Sequence, residues 1–376
     1  MAETTLTPLQ TANAVDTEPG PLVLEDFDHL ELSVGNSIQA AHYYRTAVGL
    51  VPTYFAGLET GMRNKSSVVM QQGNVSLVLT SALNSEDAVA QHVLRHGDGV
   101  TNIAFKVRDV WSAYHEALCR GAHPIADPEI FEDENGRIIT AKIKGCGPLA
   151  HTLIQRNGEA TPFLPGYRSI HHNAGEYHFK AIDHVACAVE QGTLDQWVEF
   201  YWRVFGFVVS HEESIVTGKT AMRSKVIQDP SGKIRFPLVE PAPAKQRSQV
   251  EEYLNYHGSS GVQHAAFLTS SIVSAVDDLK KNGVEWLRTP MTYYEALESR
   301  VGLLERENVD ALRDLNILVD KDESGYLLQI FTRPLQSRPT FFLEVIQREG
   351  CRGFGSGNIR ALFEAIEREQ ALRGTL

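Results

Sequence analysis

The chain has 376 residues, 43% of them apolar, and a formal charge of −12. That length predicts two or three domains of about 100–200 residues each, and the acidic balance excludes an electrostatic grip on nucleic acid or an acidic membrane surface. No apolar run reaches membrane-spanning length, and Cys119, Cys146, Cys187 and Cys351 are too scattered for a disulfide framework or a thiolate zinc site. The chain therefore reads as a cytoplasmic protein with free thiols whose partners are small molecules.

Residues 1–21 are polar and acidic, with neither the basic nor the apolar region of a signal peptide, and read as a loose tail. FDHLELSVGNSIQAAHYYRTAVGLVP at 27–52 reads as a strand, a turn, an amphipathic helix ending near a glycine, and a strand. GVTNIAFKVRDVWSAYHEALCRGAHPIADP at 99–128 gives a strand, a helix closed by glycine, and a strand entering a proline turn. AHTLIQR at 150–156 is a further strand. The turn-rich stretch 156–177 reads as a linker, with His171 and His172 as a surface pair.

The pattern then repeats. IDHVACAVEQGTLDQWVEFYWRVFGFVV at 182–209 parallels 27–52, GVQHAAFLTSSIVSAVDDLKKNGVEWLRTP at 261–290 parallels 99–128, and TFFLEVIQR at 340–348 parallels 150–156. A last segment, 357–374, reads as one helix with Asn358 at its N-cap and Ile359, Leu362, Phe363 and Ile366 along one face. The expected fold is α+β: two tandem half-barrel-like domains, 22–158 and 178–376, each built from a pair of βαβββ modules and joined by 159–177. The final helix covers the second.

Aligning the halves isolates three positions. His184, His264 and Glu344 stand in strands of the second half where the first half has His29, Asn102 and Thr152. An ionised carboxylate inside an apolar strand needs a counter-charge or a cation. Strand alternation sets Ile182 and Ala186 beside His184, Val262 and Ala266 beside His264, and Phe342 and Ile346 beside Glu344. Any one of these histidines alone would more often be a core residue. Two imidazoles and a carboxylate at equivalent places in one half only read instead as a facial metal triad, the donor set of non-haem Fe(II) oxygenases. His29, in the half without the triad, reads as a core histidine.

Paired βαβββ modules with this donor set resemble the vicinal oxygen chelate superfamily. GVQHAAF, GYLLQIFTRP, RPTFFLEVIQREG and RGFGSGNIRALFEAIEREQ resemble, within it, the 4-hydroxyphenylpyruvate dioxygenase and 4-hydroxymandelate synthase family, over nearly the whole chain from about residue 25. The resemblance implies Fe(II) held by His184, His264 and Glu344, with 4-hydroxyphenylpyruvate and O2 as substrates. It implies a pocket of Ser224, Gln249, Gln263, Gln329, Phe331, Phe354, Asn358 and Phe363, whose amides and hydroxyl suit a neutral phenol. Two positions depart from the dioxygenase pattern: Val239 stands where that branch has Asn, and Ile359 where it has Phe. Both bear on ring placement, which points to the mandelate-forming branch; the homogentisate-forming dioxygenase is the alternative. A glyoxalase-type isomerase lacks the long C-terminal motifs, and the intact triad counts against a non-catalytic binding module. Oligomeric state stays open, with a homodimer among the expectations.

Overall fold

The computed structural model describes residues 22–133, 136–157, 163–164, 166–170, 178–304 and 306–376. The expected tail over 1–21, part of the linker and the His171–His172 pair lie outside the described residues. The first half contains β1 (Leu24–Ser33), α1 (Ser37–Thr46), β2 (Val51–Ala56), β3 (Lys65–Gln72), β4 (Val75–Ala82), α2 (Ala88–His96), β5 (Gly99–Val107) and α3 (Val110–Cys119). It continues through β6 (Pro124–Asp133), β7 (Gly136–Lys144), β8 (Ala150–Asn157) and the two-residue β9 (Arg168–Ser169). The second half opens with β10 (Phe179–Ala188), α4 (Leu194–Phe205), β11 (Val208–Val216), β12 (Ala221–Gln228), β13 (Arg235–Pro241), α5 (Gln249–His257), β14 (Gly261–Thr269) and α6 (Ile272–Lys281). Three short helices follow, α7 (Met291–Glu295), α8 (Leu297–Val301) and α9 (Val309–Asp314), then β15 (Leu318–Asp322), β16 (Gly325–Phe331), β17 (Phe342–Glu349) and α10 (Ser356–Arg373).

Each half is one curled sheet with the same internal order. The first runs β6-β7-β8-β5-β1-β4-β3-β2-β9 and the second β11-β12-β13-β10-β14-β17-β16-β15. Each module is a βαβββ unit whose first and last strands lie parallel, as in β1 with β4, β5 with β8, and β14 with β17. The modules join through an antiparallel pair at the sheet centre, β1 with β5 and β10 with β14. Helix ends follow sequence chemistry. Asn36 and Asp109 accept from the first N–H groups of α1 and α3, and Gly206 ends α4 in the left-handed conformation.

The structure differs from the sequence expectation at four places. The run 284–289 forms no regular strand; it makes one bridge, Trp286 with Thr332, and α7–α9 fill the space before β15. Helices α2 and α5, preceding β5 and β14, were not signalled by the repeat. Asn358 is not the N-cap of α10, because Gly355 holds that position at φ 72° and Asp320 of β15 accepts from the Gly357 N–H at 2.9 Å. Part of the linker belongs to the first half: β9 pairs with β2, and Phe163 packs against Val69, Val78 and Tyr54 inside that half-barrel.

The halves share one core. Phe236 of β13 lies 5.9 Å from Phe27 of β1, 6.1 Å from Phe105 of β5 and 5.4 Å from Tyr201 of α4. A polar pair crosses this aromatic seam, His151 Nε2 and the Tyr201 hydroxyl at 2.8 Å. A second contact sets His92 and His96 of α2 against His257 of α5, with ring centroids 4.6 and 4.7 Å apart along the row. Arg338, in the loop that feeds β17, donates to the carbonyls of Leu94 and Arg95 and to that of Tyr256, holding the C-termini of α2 and α5 together. No helix among the described residues is long and apolar enough to cross a membrane.

Burial pushes His92 and His151 down to about 3 and His257 to about 4. An unfolded chain protonates histidine near 6.5. With depressed folded values, the stability these neutral rings contribute is complete above pH ~6.5 and is lost as pH falls toward 3–4. Denaturant unfolding at pH 5 should therefore show about 2 kcal/mol less stability per histidine than at pH 7.5, and His92→Gln should narrow that gap.

Candidate metal centre and active site

The three triad residues come from adjacent central strands, β10, β14 and β17. Register explains their meeting. Ala266 of β14 pairs with His184 on one side and with Glu344 on the other, while His264 stands two residues earlier. The methyl of Ala266 leaves open the space in which the imidazoles and the carboxylate converge. The first half repeats this arrangement, with Ala104 between His29 and Thr152, but there Thr152 donates to Asn102 at 2.9 Å and no charge is buried between them.

Simple alternation does not describe the two histidine strands. Pairing slips between Ile182 and His184, and again around Gln263, so each histidine follows a bulge. A bulge re-aims side chains and is common beside active sites. As a result Ile182 and Val262 join the core shared by both halves rather than flanking the triad, and the residue before each histidine turns to the histidine's own side. His184 Nδ1 donates to Asp183 at 2.8 Å, and His264 Nδ1 donates to the Gln263 amide oxygen at 3.2 Å. Both Nε2 atoms then point at one oxygen of Glu344, at 3.1 and 3.4 Å. The expected neighbours of Glu344, Phe342 and Ile346, do share its face.

Glu344 is 2% exposed. Burial alone would raise its pKa, but the charge of His184 and the hydrogen bonds from both imidazoles outweigh it and hold the carboxyl below its ordinary value. Burial also opposes charge on His184, and Glu344 with Asp183 reverses that and raises it. At His264 burial wins and the ring is held down.

Donor chemistry and spacing fit a metal ion. All three donor atoms lie within 4.8 Å of one another. Donors cis to one another about 2.1 Å from an ion stand about 3 Å apart, close to the 3.1 and 3.4 Å that separate Glu344 from the two imidazoles. Locked Nδ1 atoms fix the tautomer that leaves each Nε2 free to ligate. The set can hold a divalent cation facially, with its other coordination positions open to the cavity.

Of the residues expected around the triad, Ser224, Val239, Gln249, Gln263, Gln329, Phe331, Phe354 and Ile359 all line the cavity. Gln263 donates its amide N–H to Gln249 Oε1 at 3.3 Å, which leaves the Gln249 NH2 group free to meet a ligand. Two do not line it. Asn358 is fully buried beside it, where its amide ties α10 to the Tyr293 hydroxyl at 2.6 Å and to the backbone of β15. Phe363 packs under the cavity wall with Met222, Val239 and Val250. Ile346, expected beside Glu344, also lines it, and sequence reasoning missed Met222, Val226, Pro237 and Leu362, which complete the lining. It also missed Asp183 and Arg348, which brace His184. Their signal was present: DH and IQR recur in both halves, including the half that lacks the carboxylate.

Curled sheets of paired βαβββ modules with a buried two-imidazole, one-carboxylate centre define a dioxygenase-type member of the vicinal oxygen chelate superfamily. Residues 181–330 match the glyoxalase/bleomycin resistance protein/dioxygenase superfamily model, and 20–171 match the N-terminal hydroxyphenylpyruvate dioxygenase model. The chain is 40% identical to 4-hydroxyphenylpyruvate dioxygenase of Coccidioides posadasii (strain C735), covering 93% of this chain and 94% of that one. It is also 40% identical to the enzyme of that name from Xenopus tropicalis, covering 93% and 92%. A solved structure of a mutant 4-hydroxymandelate synthase from Streptomyces coelicolor superposes with a TM-score of 0.85 at 36% identity, over 93% of this chain and 100% of that chain. The chain belongs to the 4-hydroxyphenylpyruvate dioxygenase family.

Replacing Ala266 by leucine places a branched side chain between His184 and Glu344 without touching a donor. Ala266→Leu should fold at a cost of about 1–3 kcal/mol and lose Co(II) uptake by more than ~100-fold, beyond the range seen for outer-shell changes. Titration followed by visible absorption checks this.

Proposed function

We propose that the protein is an Fe(II)-dependent 2-oxo acid dioxygenase that converts 4-hydroxyphenylpyruvate and O2 to 4-hydroxymandelate and CO2. His184, His264 and Glu344 are its metal ligands. Bound Fe(II) supplies the electrons and open coordination positions that oxygen chemistry on a 2-oxo acid requires. The chain's own residues do the rest. The free NH2 group of Gln249, with Gln329 and Ser224, orients the neutral phenol by hydrogen bonds without adding charge. Phe331, Phe354 and Leu362 wall the cavity and keep water from it.

4-Hydroxymandelate and homogentisate are isomers, so the chain decides between them by where it holds the ring. A displacement of about an ångström redirects or slows a reaction by orders of magnitude. The observation that carries the mandelate reading is that Val239 and Ile359, the two departures from the dioxygenase pattern, both line the cavity. Val239 offers no hydrogen bond to fix the ring, and Ile359 gives no flat wall beside it. Homogentisate formation is the second reading, favoured by the names of the curated relatives. A cytoplasmic setting accords with four unpaired cysteines.

Incubating Fe(II)-loaded protein with 4-hydroxyphenylpyruvate and O2, with products separated against authentic standards, tests the reading. 4-Hydroxymandelate is expected as the main product; homogentisate would assign the second reading, and no turnover with iron bound would remove the substrate assignment. The double change Val239→Asn with Ile359→Phe is expected to move the product ratio toward homogentisate by at least about tenfold, ~1.4 kcal/mol between competing barriers.

A further inference from the structure

Glu344 and Arg348 leave the same face of β17, four residues apart. Arg348 grips Asp183 with two parallel hydrogen bonds, from Nε at 2.7 Å and from Nη2 at 2.8 Å. Asp183 in turn accepts from His184 Nδ1 at 2.8 Å. The remaining arm of the guanidinium, Nη1, donates to the Gly353 carbonyl at 2.6 Å, and the group lies 5.3 Å from the Phe354 ring centroid. Phe354 lines the cavity, sits 5.2 Å from the His184 ring, and immediately precedes the N-cap of α10. Both charged side chains are nearly dry, 11% and 3% exposed.

We propose that Arg348 is a positioning residue for the metal centre: through Asp183 it fixes the ring plane of His184, and through Gly353 and Phe354 it ties that alignment to the seating of α10. This rests on the metal reading given above. Without Arg348, the cation left beside Asp183 among the described residues is Arg235, with Nη1 at 3.4 Å, so the hold on the Asp183–His184 bond weakens while the approach to α10 loses its anchor.

The first half supplies an internal control. There Arg156 grips Asp28 with bonds of 2.8 and 2.7 Å, Asp28 accepts from His29 at 2.7 Å, and the guanidinium donates to the Phe163 carbonyl and lies 5.1 Å from its ring. The brace is the same, but its fourth-residue neighbour along the strand is Thr152 instead of a carboxylate. A purely structural role would make the two arginines equivalent.

The test is Co(II) titration of the full-length protein, followed by visible absorption, with limited proteolysis of α10 alongside. Arg348→Met is expected to weaken Co(II) binding about 10–100-fold, alter the Co(II) band and speed cleavage in α10. Arg348→Lys should recover part of the affinity but not the band, because an ammonium cannot reproduce the planar fork. Arg156→Met should lower the denaturant midpoint yet leave affinity and band as in the parent. Unchanged affinity and band in Arg348→Met, or equal losses in Arg156→Met, would overturn the proposal. If Arg348→Met does not fold, Arg348→Lys and Asp183→Asn carry the same comparison. Should the parent protein take up no Co(II), or take it up equally well as His264→Ala, the metal reading falls and this inference with it.

Discussion

A carboxylate sealed inside a β-sheet is the constraint around which the second half is organised. Taking an ionised group out of water costs several kcal/mol unless opposite charge and hydrogen bonds meet it. Glu344 meets two imidazoles, and each imidazole is oriented by the residue before it in sequence. The slipped register in β10 and β14 serves that requirement, since a regular strand would send Asp183 and Gln263 to the opposite face, although β1 and β5 keep the same slips without the carboxylate. The alanine at 266, which the first half shares as Ala104, serves it too, because a larger side chain would occupy the point of convergence. Charge burial, backbone irregularity and one small residue are parts of a single solution.

The first half shows the same scaffold relieved of that constraint. Thr152 and Asn102 satisfy each other as neutral groups, so no cation is called for. Its concave face is filled by Phe163 and Tyr167 from the segment between the halves, with Phe163 packed at tilted angles against His29, Tyr54 and Tyr167. The second half is closed by α10 instead. That helix is held from three directions: Glu367 accepts from Thr217 and Thr220, Arg333 grips Glu369 with two bonds of 2.9 and 2.8 Å, and Arg373 meets Glu252 at 2.7 Å. A plug filled with aromatic rings suits a core; a helix latched by polar contacts at its margins leaves a chamber beneath it.

Much of this was legible in the sequence because duplication exposes function by difference. The repeat located the central strands, and the unmatched charge at 344 singled out the triad. Strand alternation, however, cannot foresee a bulge, so Ile182 and Val262 were placed on the wrong face. The insertion α7–α9 has no counterpart in the first half, and ahead of it the run 284–289, where the repeat predicts a strand, makes only the bridge from Trp286 to Thr332. Asn358 looked like a cap because Asn often is one; Gly355 holds that place, and the N–H of Gly357 is met by Asp320, 37 residues earlier and brought there only by the folded sheet. Arg348 and Arg156 were visible as a shared motif, yet a motif common to both halves carries no contrast and so drew no attention.

The pair His151–Tyr201 has a consequence for how such a duplicated chain can change. Aromatic packing in the seam needs only matching volumes, whereas a buried hydrogen bond of 2.8 Å needs a donor and an acceptor in line and leaves a polar group unsatisfied when either is lost. The pair thus indexes one half-barrel against the other, like a key in a slot. Each concave face can drift separately, one keeping its chemistry and the other abandoning it, but the seam can be rewritten only by matched exchange on both sides. Chimeras assembled from the halves of two relatives would inherit compatibility at this joint before any question of substrate arises.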